Sequence, residues 1–206
     1  MKRGDGSCVP WNERTVPSFH SREPSPRFTM ERKNRPLVPP RFTIRGDTMK
    51  KEEKTNVMRV LDGKKIEYAS HAYKPDATMT GEEIAALLGE NPDVVFKTLV
   101  TQGKSGAYYV FVIPVKEELD LKKAAKASGE KAVSMIKQKE LLPLTGYVHG
   151  GCSPIGMKKQ FQTFIHETAE SYDHIYVSAG KVGFQIELRP SDLIAVTGCK
   201  TADIVS

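Results

Sequence analysis

Residues 94–114 read VVFKTLVTQGKSGAYYVFVIP, two runs of β-branched and aromatic residues separated by a turn that contains Gly103 and Gly106. This pattern predicts a β-hairpin with strands over 94–101 and 108–114. Outward from the hairpin, short helical and strand-like segments follow one another without strict alternation, and strands outnumber helices. We therefore predict an α+β fold around a mixed, curved sheet rather than a doubly wound parallel sheet.

Helix signals flank the hairpin on both sides. An amphipathic segment over 55–61 ends at Gly63, and Thr80 with Glu83 forms a capping box before a second helix. Asp120 is expected to cap a third helix, over 121–128. Further helices are expected near 135–142 and over 191–196, and further strands over 66–73, 147–148, 163–166, 174–178 and 182–188.

Charge and proline are concentrated at the start of the chain. Residues 1–48 hold ten basic residues, five acidic residues and seven of the 13 prolines, which leaves residues 49–206 with a net charge of only +1. We expect 1–48 to be a disordered, basic, proline-rich extension and 49–206 to be the folded domain. A basic extension can attract RNA. Met49, however, opens a lysine- and glutamate-rich segment typical of a natural start, which would leave the extension without a function.

The sequence also indicates a compartment. No apolar run approaches the roughly 18–20 residues that span a bilayer, and the first thirty residues lack the apolar core of a secretory signal. Cys8, Cys152 and Cys199 are far apart and odd in number. Free thiols in a reducing cytoplasm are the simplest interpretation, and no membrane partner is expected.

Motifs with catalytic or metal-binding spacing are sparse. The five histidines lack the close spacing of a metal site, and neither a phosphate-binding loop nor a serine-hydrolase motif occurs. His149 and Cys152 suggest a nucleophilic pair, but sequence neighbours rarely form one, and no orienting acid is evident.

Two features stand above this background. Lys97 shares a strand face with Val95 and Leu99, so it is either an edge lysine that reaches solvent or a residue that lines a cavity. The glycine-rich loop 150–156, GGCSPIG, either turns its backbone N–H groups towards a ligand or is simply a tight connection.

Five sequence features occur in a fixed order along the chain, and their combination is informative. They are Tyr73, VFKTL at 95–99, LDLKKAA at 119–125, GGCSPIG at 150–156 and IYVSAGK at 175–181. Together they closely resemble the YbaK/EbsC family, free-standing relatives of the editing domain inserted in bacterial prolyl-tRNA synthetase. The resemblance runs from about residue 51 to residue 204. It implies a mixed α+β domain with a curved or barrel-like sheet and flanking helices.

The resemblance also implies an activity. Members of this family are trans-editing deacylases that clear cysteine from Cys-tRNA(Pro) and Cys-tRNA(Cys), a correction needed because cysteine and proline are similar in size. The substrate's own thiol attacks its ester carbonyl, so neither a cofactor nor a metal is expected. The implied partners are aminoacylated tRNA and prolyl-tRNA synthetase, the latter in a ternary complex.

Residue roles follow from the same resemblance. Lys97 is the implied catalytic residue, contacting the ester or the terminal ribose-phosphate, and backbone N–H groups of the glycine loop would polarise the carbonyl. The implied substrate-binding residues are Tyr73, Gly150, Gly151, Ser153, Pro154, Gly156, Ser178, Gly180 and Gln185.

Two positions depart from the family pattern. Gln185 stands where the family has an aspartate, which keeps a donor and an acceptor but removes the charge. Cys152 replaces an aliphatic residue and is interpreted as a small apolar substitution. Two alternatives therefore stay open: a water-using deacylase of another small aminoacyl-tRNA(Pro), such as the alanyl ester, and a non-catalytic module that binds tRNA or nucleotides.

Overall fold

The computed structural model describes residues 54–74 and 79–206. The predicted extension over 1–48 and the first residues of the predicted domain lie outside the described residues. The helices are α1 (Asn56–Gly63), α2 (Gly81–Leu88), α3 (Leu121–Ser128), α4 (Gln138–Thr145) and α5 (Pro190–Thr197), with 3-10 turns at Pro92–Val94 and Glu167–Ser171. The strands are β1 (Ala69–Ala72), β2 (Phe96–Gly103), β3 (Tyr108–Pro114), β4 (Val133–Met135), β5 (Gln162–His166), β6 (Ile175–Ser178), β7 (Phe184–Leu188) and β8 (Lys200–Ala202).

These strands form two sheets. The larger sheet has the order β4-β2-β3-β5-β8, in which β2 pairs antiparallel with β3 and β4 while the remaining pairs are parallel. The smaller sheet has the order β1-β7-β6 and is antiparallel throughout. A single parallel bridge between Val95 and Tyr176 brings the start of β2 alongside β6. The predicted mixed α+β fold and the hairpin are confirmed.

The larger of two main cores lies between the sheets. Phe96 and Val100 of β2 meet Val177 and Ile186 of the small sheet there, and α1 adds Leu61. A second core covers the other face of the large sheet. It includes Phe111, Ile113 and Phe164 from the sheet, Ala124 and Ala125 from α3, and Ile204 and Val205 near the C-terminus. Because side chains alternate along a strand, β3 is buried on both faces, which explains its unbroken apolar run.

The capping residues in the sequence correctly predicted where α2 and α3 begin. The Thr80 hydroxyl accepts from the Glu83 N–H while the Glu83 carboxylate accepts from the Thr80 N–H, completing the predicted capping box. Asp120 accepts from the backbone N–H groups of Lys122 and Lys123 at 2.7 and 3.1 Å. These bonds satisfy donors that the first turn of a helix leaves unpaired.

Other boundaries were wrong. Residues 147–148 form a loop rather than a strand, and the Tyr147 N–H donates to the Thr145 hydroxyl at 3.1 Å instead of to a neighbouring strand. The helix expected near 135–142 begins at Gln138, since Met135 ends the short strand β4. The strand expected over 66–73 is limited to Ala69–Ala72.

No helix within 54–74 or 79–206 is long and apolar enough to cross a membrane.

The stacked pair Phe111 and Phe164 offers a test of the second core. Both rings are buried, and their centroids lie 5.3 Å apart. We expect Phe111→Ala to lower the free energy of unfolding by about 3–5 kcal/mol, because it removes a large apolar side chain and leaves a cavity. Urea denaturation measures this. The exposed Leu142 is the matched control, and Leu142→Ala should cost less than about 0.5 kcal/mol. Equal losses in the two variants would contradict the packing described.

Candidate functional site

The two faces of the small sheet differ in chemistry. Ile175, Val177, Ile186 and Leu188 point into the larger core. The alternate residues must point the other way. We call this opposite side the polar face, although Tyr176 is buried there against Ala85 and Val95. It carries His71 on β1, Tyr176 and Ser178 on β6, and Gln185 and Glu187 on β7.

Strand register orders the polar face into two rows. Gln185 is paired with Ser178 on one side and with His71 on the other. Glu187 is likewise paired with Tyr176 and with Ala69. Tyr73 follows β1 directly, and its backbone N–H donates to the Gly183 carbonyl at 2.8 Å, beside the turn that joins β6 to β7. Of the predicted site residues, Tyr73, Ser178 and Gln185 are therefore brought together.

Lys97 lies next to the row formed by His71, Gln185 and Ser178. Because Val95 bridges Tyr176 in parallel, Lys97 and Ser178 each lie two residues beyond the bridge, on the same side of their strands. The half-buried Lys97 ammonium donates to the Val115 carbonyl at 3.0 Å. Among the described residues this is its one hydrogen-bond acceptor, so two ammonium protons are open to a ligand.

Burial and nearby negative charges shift the pKa of Lys97 in opposite directions. Burial lowers the pKa of its ammonium, while the negative charges of Glu118, Glu82 and Glu117 oppose that shift. Lys97 forms no salt bridge among the described residues, so its partly desolvated ammonium can donate to a polar ligand oxygen, while the nearby carboxylates reduce its attraction for anions.

The glycine loop meets the turn between β6 and β7. A Cβ added at Gly151 would lie 3.0 Å from the Val182 nitrogen and 3.2 Å from the Lys181 carbonyl carbon, so only glycine permits this approach. Gly180 adopts a φ of 84°, and a Cβ there would lie 2.7 Å from the Tyr147 ring. Gly150 is exposed next to this contact.

The remainder of the loop faces inward. Ser153 and Pro154 are buried, and the Ser153 hydroxyl accepts from the Ile155 N–H. The Gly156 carbonyl accepts from the Asn56 side chain at 2.9 Å, which ties the loop to α1. The Gly151 N–H already donates to the Val148 carbonyl at 3.1 Å, so Gly151 provides close approach rather than a free donor.

Gln185 is one of four residues in the described part of the chain with a buried side-chain polar atom that has no hydrogen-bond partner, and it is the one on the polar face of the small sheet. Only 7% of the residue is exposed, and its Oε1 atom has no hydrogen-bond partner among the described residues. A buried acceptor without a partner costs roughly 1–3 kcal/mol. An unpaired carboxamide oxygen between His71 and Ser178 is therefore suited to a ligand donor.

Sequence reasoning missed a side-chain cluster on the same face. The His71 Nε2 atom lies 3.1 Å from Glu187 Oε2, and the His71 and Tyr176 ring centroids are 5.2 Å apart. Burial raises the pKa of the Tyr176 hydroxyl, and hydrogen bonds and charge from Glu90 and Glu187 raise it further. The available signal was the alternation of polar residues in QIEL at 185–188, which shows which residues share a face but not what they meet.

The buried environment of Cys152 does not suit a nucleophilic thiol. Burial raises the pKa of its thiol to about 12, and a hydrogen bond with Thr145 opposes that shift only in part. A neutral thiol is a poor nucleophile at physiological pH. In the described part of the chain, no three His, Cys, Asp or Glu side chains gather as metal ligands would.

We expect Cys152→Ala to leave the rate of the aminoacyl-tRNA deacylation that the sequence predicts within about twofold of the wild-type rate, since the substitution removes no ionised group from the site. Thiol alkylation by iodoacetamide, read peptide by peptide in a mass spectrometer, should be slow at Cys152 and at the buried Cys199 until the protein is unfolded. Cys199→Ala is the matched control. Rapid alkylation of Cys152 in the folded protein, with loss of turnover, would contradict this assignment.

The sequence profile described as the aminoacyl-tRNA editing domain matches residues 75–196. The chain belongs to the aminoacyl-tRNA editing domain family. Members of this family are aminoacyl-tRNA deacylases, so the substrates of this editing domain are aminoacylated tRNAs.

Individual relatives agree with this assignment. The chain is 46% identical over 158 residues to the Enterococcus faecalis protein named "Putative Cys-tRNA(Pro)/Cys-tRNA(Cys) deacylase EbsC", covering 76% of this chain and 96% of that protein. A crystal structure described as "a putative trans-editing enzyme for prolyl tRNA synthetase" is 26% identical, with a TM-score of 0.64, covering 73% of this chain and 95% of the other. A second crystal structure, of a hypothetical protein, is 25% identical with a TM-score of 0.68, covering 73% and 99%. The predicted resemblance to the YbaK/EbsC family is thus confirmed.

Proposed function

We propose that this editing domain clears cysteine from Cys-tRNA(Pro), and acts also on Cys-tRNA(Cys), by cyclisation of the substrate's own thiol. The observation that carries the proposal is the 46% identity to the Enterococcus faecalis deacylase over 96% of its length. The site described above supports it, because the polar face and the Lys97 side chain offer binding groups, whereas Cys152 is buried and neutral.

Each site residue has a role in this proposal. Lys97 stabilises the oxyanion that forms on the ester carbonyl, or holds the adjoining ribose-phosphate, with the two protons not used by Val115. The backbone N–H of the exposed Gly150 is the loop donor that assists it, while the fully buried Ser153 supports the loop from inside. Tyr73, Ser178, Gly180 and Gln185 form the walls, and Gly151, Pro154 and Gly156 hold the loop in place.

The reaction needs no protein nucleophile. The substrate thiol loses its proton, its sulfur forms a bond to the ester carbonyl carbon, and the bond from that carbon to the ribose oxygen breaks. The ribose oxygen takes up a proton, which releases tRNA and a cyclic thiolactone that water opens to cysteine. The protein contributes orientation and charge stabilisation, and a serine side chain would be much less reactive because a thiol ionises more readily than an alcohol.

The proposal extends to the partners and the compartment. The weak net charge of residues 49–206 favours recognition of tRNA in a complex with prolyl-tRNA synthetase, in the cytoplasm where tRNA is charged. In this proposal residues 49–206 form the editing domain and residues 1–48 are an extension outside it.

The test is deacylation of Cys-tRNA(Pro), Ala-tRNA(Pro) and Ser-tRNA(Pro) by the wild type and by Lys97→Ala. We expect the cysteinyl ester to be cleaved preferentially, because only its side chain can attack the carbonyl efficiently. Lys97→Ala should reduce kcat/KM by about 100-fold or more, the loss typical for one oxyanion donor. Lys126 is an exposed lysine on α3, so Lys126→Ala is the matched control and should cost no more than about twofold.

Two other outcomes would change the assignment. Equal cleavage of Ala-tRNA(Pro) would favour the water-using alternative, for which the uncharged Gln185 is the motivating observation. Cleavage of none of the three esters by a correctly folded wild type would contradict a deacylase of this specificity and favour a binding module.

Prolyl-tRNA synthetase provides a separate test. We expect it to raise kcat/KM for Cys-tRNA(Pro) at physiological salt, since a near-neutral domain gains little from the phosphate backbone alone. The measurement is a titration of the synthetase into the deacylation reaction, with a non-cognate synthetase as control. No acceleration over the non-cognate control would contradict the ternary complex.

A further inference from the structure

The polar face holds a carboxylate that the proposed reaction does not use. Glu187 follows Gln185 by two positions on β7, so the two side chains point the same way, with α-carbons about 7 Å apart. Only 13% of the Glu187 side chain is exposed, and its Oε2 atom lies 3.1 Å from His71 Nε2. This contact with the His71 ring holds the Glu187 side chain in one position.

A second acceptor stands beside that carboxylate. The Gln185 Oε1 atom is buried and has no hydrogen-bond partner among the described residues. Register places the α-carbons of Gln185 and His71 directly opposite each other, so the residue that bonds Glu187 also borders Gln185. A ligand that donates to both acceptors would satisfy the carboxamide oxygen that the fold leaves unpaired.

The surroundings favour a cationic donor. Glu82, Glu117 and Glu118 act on Lys97 from one end of the site. Glu90 and Glu187 act on Tyr176 from the other end. In a partly desolvated setting a positive group is attracted to these carboxylates more strongly than in water.

We propose that Glu187 and the Gln185 Oε1 atom together bind the α-ammonium group of the aminoacyl ester, with His71 as the residue that positions Glu187. The inference rests on the proposed function, because every α-aminoacyl-tRNA with a primary amine carries this ammonium group on the carbon next to the ester carbonyl. It assigns the negative charge that residue 185 lacks to the residue two positions further along the same strand. An ammonium held there orients the α-carbon, and with it the ester carbonyl and the side chain.

The test compares Cys-tRNA(Pro) with N-acetyl-Cys-tRNA(Pro), which keeps the thiol and the ester but has no ammonium charge. For Glu187→Gln we expect kcat/KM on the free-amine substrate to fall about 10- to 100-fold, the range for a lost hydrogen bond to a charged group. On the N-acetyl substrate it should change by no more than about twofold. A merely structural role for Glu187 would lower both substrates together and would overturn the proposal.

Two further variants protect the test against a folding artefact. Glu167 is an exposed carboxylate on the second 3-10 turn, so Glu167→Gln removes the same charge away from the polar face and should leave the ratio of the two substrates unchanged. Gln185→Asp adds an anion at the unpaired acceptor and should raise the preference for the free amine severalfold. A gain of this kind cannot arise from misfolding, whereas a reduced preference in Gln185→Asp would count against the shared site.

A binding measurement separates this inference from the proposed function. Non-hydrolysable 3′-amide analogues of cysteinyl-adenosine, with and without an N-acetyl group, report ammonium recognition by calorimetry even if the wild type cleaves no ester. Tighter binding of the free amine that is lost in Glu187→Gln supports the ammonium site whatever the catalytic outcome. Equal affinity of the wild type for both analogues overturns it.

Discussion

Both sheets bury a face in one shared apolar core, and this constraint decides where everything else can lie. Fully burying a valine, leucine, isoleucine or phenylalanine side chain stabilises a fold by about 1.5–3 kcal/mol, and the shared core contains many of them. A strand register shifted by one residue would turn Val177 and Ile186 outward and bring Ser178 and Gln185 in. The polar face is therefore fixed by the burial of the apolar one.

Structural features that are set by residues close together in the chain could be predicted from the sequence, whereas features that are set by distant residues could not. The hairpin of β2 and β3, the Thr80 capping box and the Asp120 cap were predicted because each is set by residues close together in the chain. The strands β4 and β8 were not predicted, since three-residue edge strands have almost no periodicity of their own. The face shared by Val95, Lys97 and Leu99 was predicted correctly, but what Lys97 meets there was not.

The candidate site likewise combines residues that could be identified from the sequence with contacts that only the folded structure shows. Lys97 and the glycine loop were singled out by the sequence pattern, and Gln185 by the family resemblance. The contact between His71 and Glu187 depends instead on the register of β1 against β7, and these two residues are 116 positions apart in sequence. The engaged N–H of Gly151 was also beyond reach, because a glycine-rich pattern predicts close approach without telling which donors a turn consumes.

The position of β1 at the end of the small sheet has a kinetic meaning. In the described part of the chain this strand pairs with β7 alone, through four residues. His71 and Tyr73 thus belong to a segment that can detach from its neighbour while both apolar cores stay intact, and such edge segments open at a small fraction of the free energy of global unfolding. Backbone amides of β1 should exchange with solvent long before those of β3. The edge of the polar face that β1 forms is therefore the part of this face that opens most readily.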